Sequence, residues 1–291
     1  MALIEGTAEN DTLSGGERND FVYGFGADDT LFGRRGRDQL FGDNGADSLY
    51  GGLGGDPVLR GGPGDDVIRG GAGGDGLEGG VGDDTLHGDQ DNDTLYGGGG
   101  NDALYDGAGR NDSQYGGTGQ DSIYGGAGRD FLFGEADNDQ LQGGGGDDFL
   151  FGGSGNDALR GGLGDDILYS SVGVDRLVGG KGSDTFEFAN RLAGEPGPDR
   201  IVGFTSAEDQ IELHRFAFGF DFEFGALSDD DFFAINAGDA GVQGTDDALV
   251  YDTDMGRLFF DENGQVAGGR TLIATLTGAP KLSAEDFIID A

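Results

Sequence analysis

Residues 161–166 read Gly-Gly-Leu-Gly-Asp-Asp, and close copies of this stretch stand at residues 51–56 and 61–66. The final aspartate recurs twenty times, and all but two of the nineteen steps between copies are nine residues long. Two positions after each aspartate stands an apolar residue, except at Gln114, and five positions before each stands glycine, except at Ser170. The twenty positions are Asp11, Asp20, Asp29, Asp38, Asp47, Asp56, Asp66, Asp75, Asp84, Asp93, Asp102, Asp112, Asp121, Asp130, Asp139, Asp148, Asp157, Asp166, Asp175 and Asp184.

A short, strict period of this kind predicts a solenoid. The six residues rich in glycine and aspartate form a turn whose backbone can adopt positive φ. The next three form a short strand whose middle side chain points inward. Two nine-residue units complete one coil, so loops two repeats apart stack on the same edge. The sequence therefore predicts an all-β fold, a parallel β-roll.

Stacked loops of this composition predict metal sites. Each gap between them is lined by two carboxylates and several backbone carbonyls, an all-oxygen set that suits Ca²⁺ with its ~6–8 oxygen ligands. Mg²⁺ retains its water and Zn²⁺ favours nitrogen or sulfur. Runs of acidic residues usually form solvent-exposed surfaces, but aspartate here keeps a fixed spacing from glycine, which favours metal binding. Twenty units leave at most eighteen such gaps. The predicted carboxylate ligands are Asp38, Asp47, Asp56, Asp66, Asp75, Asp84, Asp93, Asp102, Asp121, Asp130, Asp139, Asp148, Asp157, Asp166, Asp175 and Asp184, and the predicted carbonyl donors are Gly52, Gly54, Gly62, Gly64, Gly71, Gly73, Gly80, Gly82, Gly98, Gly100, Gly117, Gly119, Gly126, Gly128, Gly144, Gly146, Gly153, Gly155, Gly162 and Gly164.

Some repeats depart from the pattern. The two ten-residue steps, 56–66 and 102–112, carry their extra residue around 57–60 and 105–106. The second step lies beside the polar inward residue Gln114, so we predict a bulge and a weak point at 103–116. We expect weaker or empty sites where the glycine two positions before the aspartate is lost, above all beside Arg18 and Arg110. That glycine is replaced by Glu9, Arg18, Ala27, Asp91, Arg110 and Asp137.

From Gly6 to about Phe186 the chain resembles the RTX (hemolysin-type calcium-binding repeat) family. The resemblance implies a right-handed β-solenoid over residues 1–187 and a capping region over 188–291. Residues 188–291 are similar to the segment after the repeats in exported RTX proteins, including the serralysin-type proteases. In that family the tail is an uncleaved signal for type I secretion from Gram-negative bacteria. Residues 286–291, acidic and then aliphatic, look like such a tail.

The composition limits the partners. The chain has 291 residues, 65 of them glycine, and a net charge of −39 from 56 acidic and 17 basic residues. Such a charge opposes compaction, so a cation should bind, and nucleic acid is excluded as a partner. The absence of cysteine excludes disulfides and thiolate metal sites. We also find neither a cleaved N-terminal signal nor an apolar run of ~18 residues, so we expect a soluble protein exported by another route.

The residues that follow the inward positions form two outward faces. Neighbouring rungs lie ~4.8 Å apart, close enough for rings to stack. Two interpretations stay open: a self-stacking ladder that stabilises the sheet, or a docking surface for the C-terminal region, a host, a second copy or a glycan. The more aromatic face is Tyr23, Phe41, Leu59, Glu78, Tyr96, Tyr115, Phe133, Phe151, Tyr169 and Glu187, and the other is Ser14, Phe32, Tyr50, Arg69, His87, Tyr105, Tyr124, Gln142, Arg160 and Val178.

After Phe188 the period ends and strand-like alternation takes over. We predict strands at 199–204, 209–213 and 271–276, and a hairpin with arms at 249–252 and 257–261. Ser228 and Ser283 each precede an acidic residue by three positions, a helix N-cap signature. A solenoid end exposes unpaired backbone, so we expect this region to form a β-rich cap. Residues 281–291 form a final helix on that cap, serve as the secretion tail, or both.

No catalytic constellation emerges. The chain has two histidines, His87 and His214, and lacks the paired-histidine zinc-protease signature. Residues 180–183 lack the spacing of a phosphate-binding loop, and repeats that begin by Gly6 leave no room for the N-terminal enzyme that many RTX proteins carry. We therefore predict a non-enzymatic, secreted calcium-binding protein that folds on Ca²⁺ outside the cell and acts in adhesion, matrix or interaction. The alternative is a calcium-dependent membrane-active protein, because the nodulation-signalling RTX proteins, also little more than repeats and an export tail, are held to form cation channels.

Overall fold

A computed structural model describes residues 1–188, 198–214, 225–226, 232–235, 248–261 and 270–290. The chain divides into two compact units, Met1–Phe149 and Leu150–Ala291. Within the described residues the fold is all-β, and the only helix is a single 3₁₀ turn at Ala284–Asp286. The boundary between repeats and cap, placed from the sequence after residue 187, stays a prediction.

The first unit is a stack of short parallel strands. Odd-numbered strands follow one another in one sheet and even-numbered strands in a second. Leu31 of one strand lies opposite Leu49, one coil later. The parallel β-roll predicted from the nine-residue period is therefore confirmed. The strands are β1 Leu3–Glu5, β2 Thr12–Ser14, β3 Phe21–Gly26, β4 Thr30–Arg35, β5 Gln39–Asn44, β6 Ser48–Leu53, β7 Val58–Pro63, β8 Val67–Ala72, β9 Gly76–Val81, β10 Thr85–Gln90, β11 Thr94–Gly99, β12 Ala103–Ala108, β13 Ser113–Thr118, β14 Ser122–Ala127, β15 Phe131–Ala136 and β16 Gln140–Gly145.

Each six-residue strand sends two positions into the interior. The first holds a buried apolar residue, except at Gln114 of β13, and full burial contributes about 1.5–3 kcal/mol per side chain. The second is glycine, except at Asp106 of β12, because the regular coil leaves no room for a side chain: a Cβ on Gly97 would lie 2.4 Å from Asp102 Oδ2 and 2.6 Å from the Gly116 carbonyl. The space at the strand end is thus reserved for the loop aspartates. The fully buried apolar residues of this unit include Val22, Leu31, Leu40, Leu49, Leu59, Ile68, Leu77, Leu86, Leu95, Leu104, Ile123 and Leu132.

The second unit is also built from parallel strands in two sheets, and its strands extend beyond the repeats. β22 pairs in parallel with β20, and β23 pairs with β21. β28 and β29 then extend the two sheets in parallel, and β26 and β27 form the predicted antiparallel hairpin. The strands are β17 Phe149–Ser154, β18 Ala158–Leu163, β19 Ile167–Ser170, β20 Arg176–Lys181, β21 Thr185–Phe188, β22 Asp199–Val202, β23 Gln210–His214, β24 Gly225–Ala226, β25 Phe232–Ile235, β26 Ala248–Asp252, β27 Arg257–Asp261, β28 Arg270–Thr277 and β29 Phe287–Asp290.

The prediction of a final helix at residues 281–291 is wrong. Ser283 caps only the single turn at Ala284–Asp286: its backbone N–H and hydroxyl both donate to Asp286 Oδ2, at 2.7 and 3.2 Å. β29 then follows at once and pairs with β23. The apolar alternation of Phe287 and Ile289, both buried, suits an added strand better than a helix. The other predicted N-cap, Ser228, lies outside the described residues.

The extra residue of the first ten-residue step moves the inward and outward positions of the next strand by one residue. Pro57 is inserted after Asp56, so β7 begins at Val58, and Leu59 becomes the fully buried inward residue. The assignment of Leu59 to the outward face is therefore wrong, because a one-residue shift moves a side chain across the sheet. Arg60 takes the outward place, and its guanidinium lies 2.6 Å from the Glu78 carboxylate.

The second ten-residue step lies in a loop. β12 pairs with β10 and β14 without a change of register, and β13 pairs likewise with β11 and β15. The extra residue falls between β12 and β13, in loop 109–112. The predicted bulge at 103–116 is wrong, because a longer loop absorbs the insertion without the loss of ladder hydrogen bonds that a bulge entails.

Rings on the outer faces stack along the coil axis, as the first interpretation of these faces expected. Tyr96, Tyr115 and Phe133 form one run with centroids 4.9 Å apart. Tyr105 stacks between His87 and Tyr124 on the other sheet, at 5.0 and 4.9 Å. Such pairs stabilise by about 0.5–1.5 kcal/mol beyond the area they bury.

Candidate metal centre

The recurring aspartates form two hydrogen-bonded ladders, one on each loop edge. The backbone N–H of each aspartate donates to Oδ1 of the aspartate one coil later: Asp38 donates to Asp56 at 2.6 Å, and Asp84 donates to Asp102 at 2.8 Å. These carboxylates lie within a few per cent of complete burial. The structure stacks the predicted aspartates, because the period places every second aspartate on the same edge, and their role as calcium ligands stays a prediction.

The second carboxylate oxygen, Oδ2, has hydrogen-bond donors at the start of the ladders and none further along. At the start, Asp11 Oδ2 accepts bonds from the Thr7 N–H at 2.6 Å and hydroxyl at 2.9 Å. Asp20 Oδ2 accepts one from the Gly16 N–H at 2.9 Å. From Asp29 to Asp130 each ladder Oδ2 is buried without a hydrogen-bond partner, a state that costs free energy unless a cation or proton is present. These oxygens belong to Asp29, Asp38, Asp47, Asp56, Asp66, Asp75, Asp84, Asp93, Asp102, Asp112, Asp121 and Asp130.

The predicted carbonyl donors lie on left-handed backbone. All twenty of the glycines predicted as donors adopt positive φ, for example 139° at Gly82 and 136° at Gly100. A Cβ on Gly82 would lie 2.1 Å from the Gly64 carbonyl oxygen of the preceding coil. Loops therefore stack with carbonyl oxygens in the space that a side chain would fill.

The loops that lack the glycine two positions before the aspartate divide into two groups. Ala27, Asp91 and Asp137 adopt positive φ at 72–78°, so these loops keep the regular path at the strain cost of a non-glycine residue there. Glu9, Arg18 and Arg110 do not adopt it. The distinction supports the expectation of weaker sites beside these two arginines, which stays a prediction.

Burial is the main cause of the raised pKa values in the ladder. It raises the pKa of Asp66, Asp75 and Asp84 to about 7, and neighbouring aspartates of the same edge add repulsion. For Asp93, burial followed by the charges of Asp75 and Asp112 raises the pKa to about 8. Backbone N–H donors oppose these shifts only in part. Around neutral pH, without a bound cation, the ladder is therefore poised to take up protons.

Acidification should stabilise the calcium-free coil. In the unfolded chain aspartate titrates near ~3.9, below the folded values of about 7 for Asp66, Asp75 and Asp84. Between these values the folded state holds more protons, so stability falls as pH rises. We expect far-UV circular dichroism in calcium-free buffer to show more strand at about pH 5 than at about pH 8, with weaker Ca²⁺ binding at the lower pH. Equal strand content at both values would contradict this assignment.

Some ladder members were not among the predicted ligands. Asp29 and Asp112 belong to the repeat series but were not predicted as ligands, yet both have the buried, unpartnered Oδ2. In the second unit the ladders continue to two aspartates outside the repeat: the Asp175 N–H donates to Asp199 Oδ1 at 2.8 Å, and the Asp184 N–H donates to Asp209 Oδ1 at 3.0 Å. The sequence did contain a signal for these two ladder members, since an apolar residue follows both Asp199 and Asp209 two positions later, as in the repeats.

These last two carboxylates close the ladders with hydrogen bonds. Asp199 Oδ2 accepts a bond from the Ser170 hydroxyl at 2.6 Å, and Asp209 Oδ2 accepts one from the Thr205 N–H at 2.7 Å. Ser170 is the one exception to the repeat glycine. Its hydroxyl thus supplies a donor where the regular repeats have none.

The donor set fits calcium. Among the described residues no three acidic or histidine side chains converge to hold a metal by themselves, so any ion here also needs backbone carbonyls. Buried carboxylate oxygens beside carbonyl-rich turns are hard ligands of the kind Ca²⁺ prefers. An ion bound there would neutralise charge that is otherwise buried without a partner.

Comparison with known proteins agrees with this chemistry. The model of the RTX calcium-binding nonapeptide repeat matches residues 5–40, 23–56, 58–86, 78–113, 106–141, 115–150, 134–168 and 151–186. The chain belongs to this family, whose repeats bind calcium. A similar solved structure is the solution structure of the AlgE6R3 subunit from the Azotobacter vinelandii mannuronan C5-epimerase, 31% identical over 52% of this chain and 78% of that one, with a TM-score of 0.36. No curated protein matches. None of the helices described is long and apolar enough to cross a membrane.

Proposed function

We propose that the protein is a secreted module that folds when Ca²⁺ binds between its stacked loops. The observation that carries this proposal is the series of buried Oδ2 atoms without partners from Asp29 to Asp130. Sites that exist only in the folded chain convert binding free energy into folding free energy. At a net charge of −39, the chain without cations repels itself and favours an extended state.

The predicted aspartates and glycines would hold the ions. One carboxylate oxygen of each aspartate is already committed to the ladder, as at Asp84 Oδ1 with the Asp66 N–H at 2.8 Å. The other oxygen is the one available to calcium. Calcium would supply charge neutralisation and a bridge between coils, while the ladder bonds hold each carboxylate in orientation. Up to eighteen gaps follow from the twenty units.

A folding switch driven by calcium supports a location outside the cell. Extracellular calcium sites bind at about 10⁻⁴–10⁻³ M, so the chain would stay extended for export in the cytosol and fold outside. The C-terminal residues that resemble a type I secretion signal support this route. Calcium is the first partner, and the secretion machinery is the second.

The test is a calcium titration of the full-length protein. We expect circular dichroism to show little strand in excess EGTA and full strand at millimolar Ca²⁺, with Mg²⁺ at the same concentration unable to replace it. Full strand content in EGTA at about pH 8 would refute the proposal.

The stacked outer rings support a role as an interaction module. Tyr96, Tyr105 and Tyr124 are 47%, 37% and 36% exposed, although each lies in a stack. Aromatic surface of this kind is suited to contact with a host surface, a glycan or a second copy. Light scattering with and without Ca²⁺ distinguishes self-association from a monomer. A glycan array then tests the carbohydrate option.

A further inference from the structure

One buried carboxylate stands outside the aspartate ladders. Asp106 lies in β12, where the strand register places it between Gly88 of β10 and Gly125 of β14. It is 1% exposed, and neither of its carboxylate oxygens has a hydrogen-bond partner. An isolated carboxylate in this state is costly, so its presence requires a compensating charge.

The regular repeat has no room for this side chain. A Cβ on Gly88 would lie 2.4 Å from Asp93 Oδ2, and one on Gly125 would lie 2.8 Å from Asp130 Oδ2. At Asp106 the distance in sequence to the ladder aspartate, Asp112, is six positions rather than five. The residue added to loop 109–112 therefore accompanies the replacement of glycine by aspartate.

The carboxylate of Asp106 faces other carboxylates. In the regular coils a Cβ at this strand position would meet Oδ2 of the ladder aspartate of the same loop, as on Gly97 with Asp102 at 2.4 Å. The side chain of Asp106 occupies this position, so its carboxylate faces Asp112, the aspartate of its own loop. Its Oδ1 also lies 2.8 Å from the position that a Cβ on Gly88 would occupy, close to Asp93 Oδ2.

The interior of this segment contains one more polar group. Gln114 is fully buried on the opposite sheet, and its Nε2 donates to the Tyr124 carbonyl at 3.0 Å. Its Oε1 has no partner. Tyr124 directly precedes Gly125, the residue opposite Asp106. Gln114, which replaces the apolar residue at the first inward position of β13, thus brings an uncharged oxygen into the same part of the roll.

We propose that Asp106 and Asp112 together ligate a Ca²⁺ ion, at a paired-carboxylate site that the regular repeats, with glycine at this position, do not form. The inference rests on the proposed function, since it requires calcium to enter the loops. Two carboxylates in contact cannot both stay ionised without a cation. A divalent ion with backbone carbonyls completes an all-oxygen shell. A proton shared by the pair is the competing solution.

The test counts bound ions by native mass spectrometry of the full-length protein at saturating Ca²⁺. We expect Asp106→Asn and Asp106→Gly each to bind one ion fewer than the wild type, with strand content retained. Asp106→Gly restores the residue found at both neighbouring positions, so it should fold. The control is Asp89→Asn, which removes a carboxylate of β10 that is 39% exposed and should leave the count unchanged.

An unchanged ion count in Asp106→Asn would overturn the inference and assign a proton to the pair. If instead the wild type bound no calcium, the proposed function would fail first, so the two failures are distinguishable. A crystal grown with Tb³⁺ gives a second readout. We expect an anomalous peak about 2.3–2.6 Å from a carboxylate oxygen of Asp106, and a map without one would count against the site.

Discussion

The Gly100→Ala variant should lose more than about 2 kcal/mol of stability in saturating Ca²⁺. Gly100 has φ of 136°, and its N–H donates to the Thr118 carbonyl at 2.9 Å. An added Cβ would lie 2.0 Å from the Gly82 carbonyl oxygen and 2.5 Å from its carbon. Both are backbone atoms of the stacked coil, so they cannot rotate away. The midpoint of urea unfolding measures the loss.

The neighbouring glycine is a matched control for this variant. Gly99→Ala makes the same chemical change one residue earlier, where φ is not left-handed and the nearest atom is the Thr118 hydroxyl oxygen at 3.2 Å. That oxygen ends a short side chain that can rotate, so we expect a change of about 0.5 kcal/mol or less. Equal urea midpoints for the two variants would show that loop stacking is not the constraint.

Asp84→Asn should raise the calcium concentration at the folding midpoint by about tenfold or more, a cost of about 1.4 kcal/mol. Asp84 is 1% exposed. The amide keeps the Oδ1 acceptor for the Asp66 N–H but replaces the unpartnered Oδ2 with a donor that cannot ligate a cation. The ladder bond is therefore preserved while the proposed ligand is lost. Circular dichroism against free Ca²⁺ gives the midpoint.

Asp83→Asn separates ligation from net charge. Asp83 is exposed, and its Oδ1 accepts a bond from the Asn101 N–H at 2.7 Å, which the amide oxygen can also accept. Both variants remove one negative charge from adjacent positions, so the field of the whole chain changes equally. We expect Asp83→Asn to shift the midpoint less than about twofold, within the range of surface changes. The ligand assignment would be wrong if the two variants behaved alike.

The parts of the fold that follow from counting were predictable. A strict period assigns inward leucines, loop glycines and paired aspartates without reference to anything distant in the chain. The errors occur where the count changes: Pro57 shifted Leu59 inward, and the second insertion entered a loop rather than a strand. The sequence marks an extra residue but does not say whether loop or strand absorbs it, because that depends on the stacked neighbours.

The repeat period predicts the candidate metal site to the same extent as the fold. The ladder aspartates were found by their phase, but Asp106 was not, because it occupies a position that the repeat reserves for glycine. Asp199 and Asp209 were missed because residues 189–197 and the segment before Asp209 break the period. Their membership depends on the pairing of β22 with β20 and of β23 with β21, which the apolar residue two positions after each aspartate does not specify without the repeat period.

The offset of one full coil between bonded aspartates also limits how such a chain can change in length. Duplication or deletion of two nonapeptides adds or removes one rung on each edge and leaves every other residue on its original sheet. A gain of a single nonapeptide would exchange the two sheets for all residues downstream. The closing bonds at Asp199 and Asp209 join only residues downstream of position 169, so they would move together and stay intact. At the point of insertion, however, ring stacks such as Tyr96 on Tyr115 would be brought against residues of the other face. Even steps in repeat number therefore preserve the outer stacks, and odd steps interrupt them.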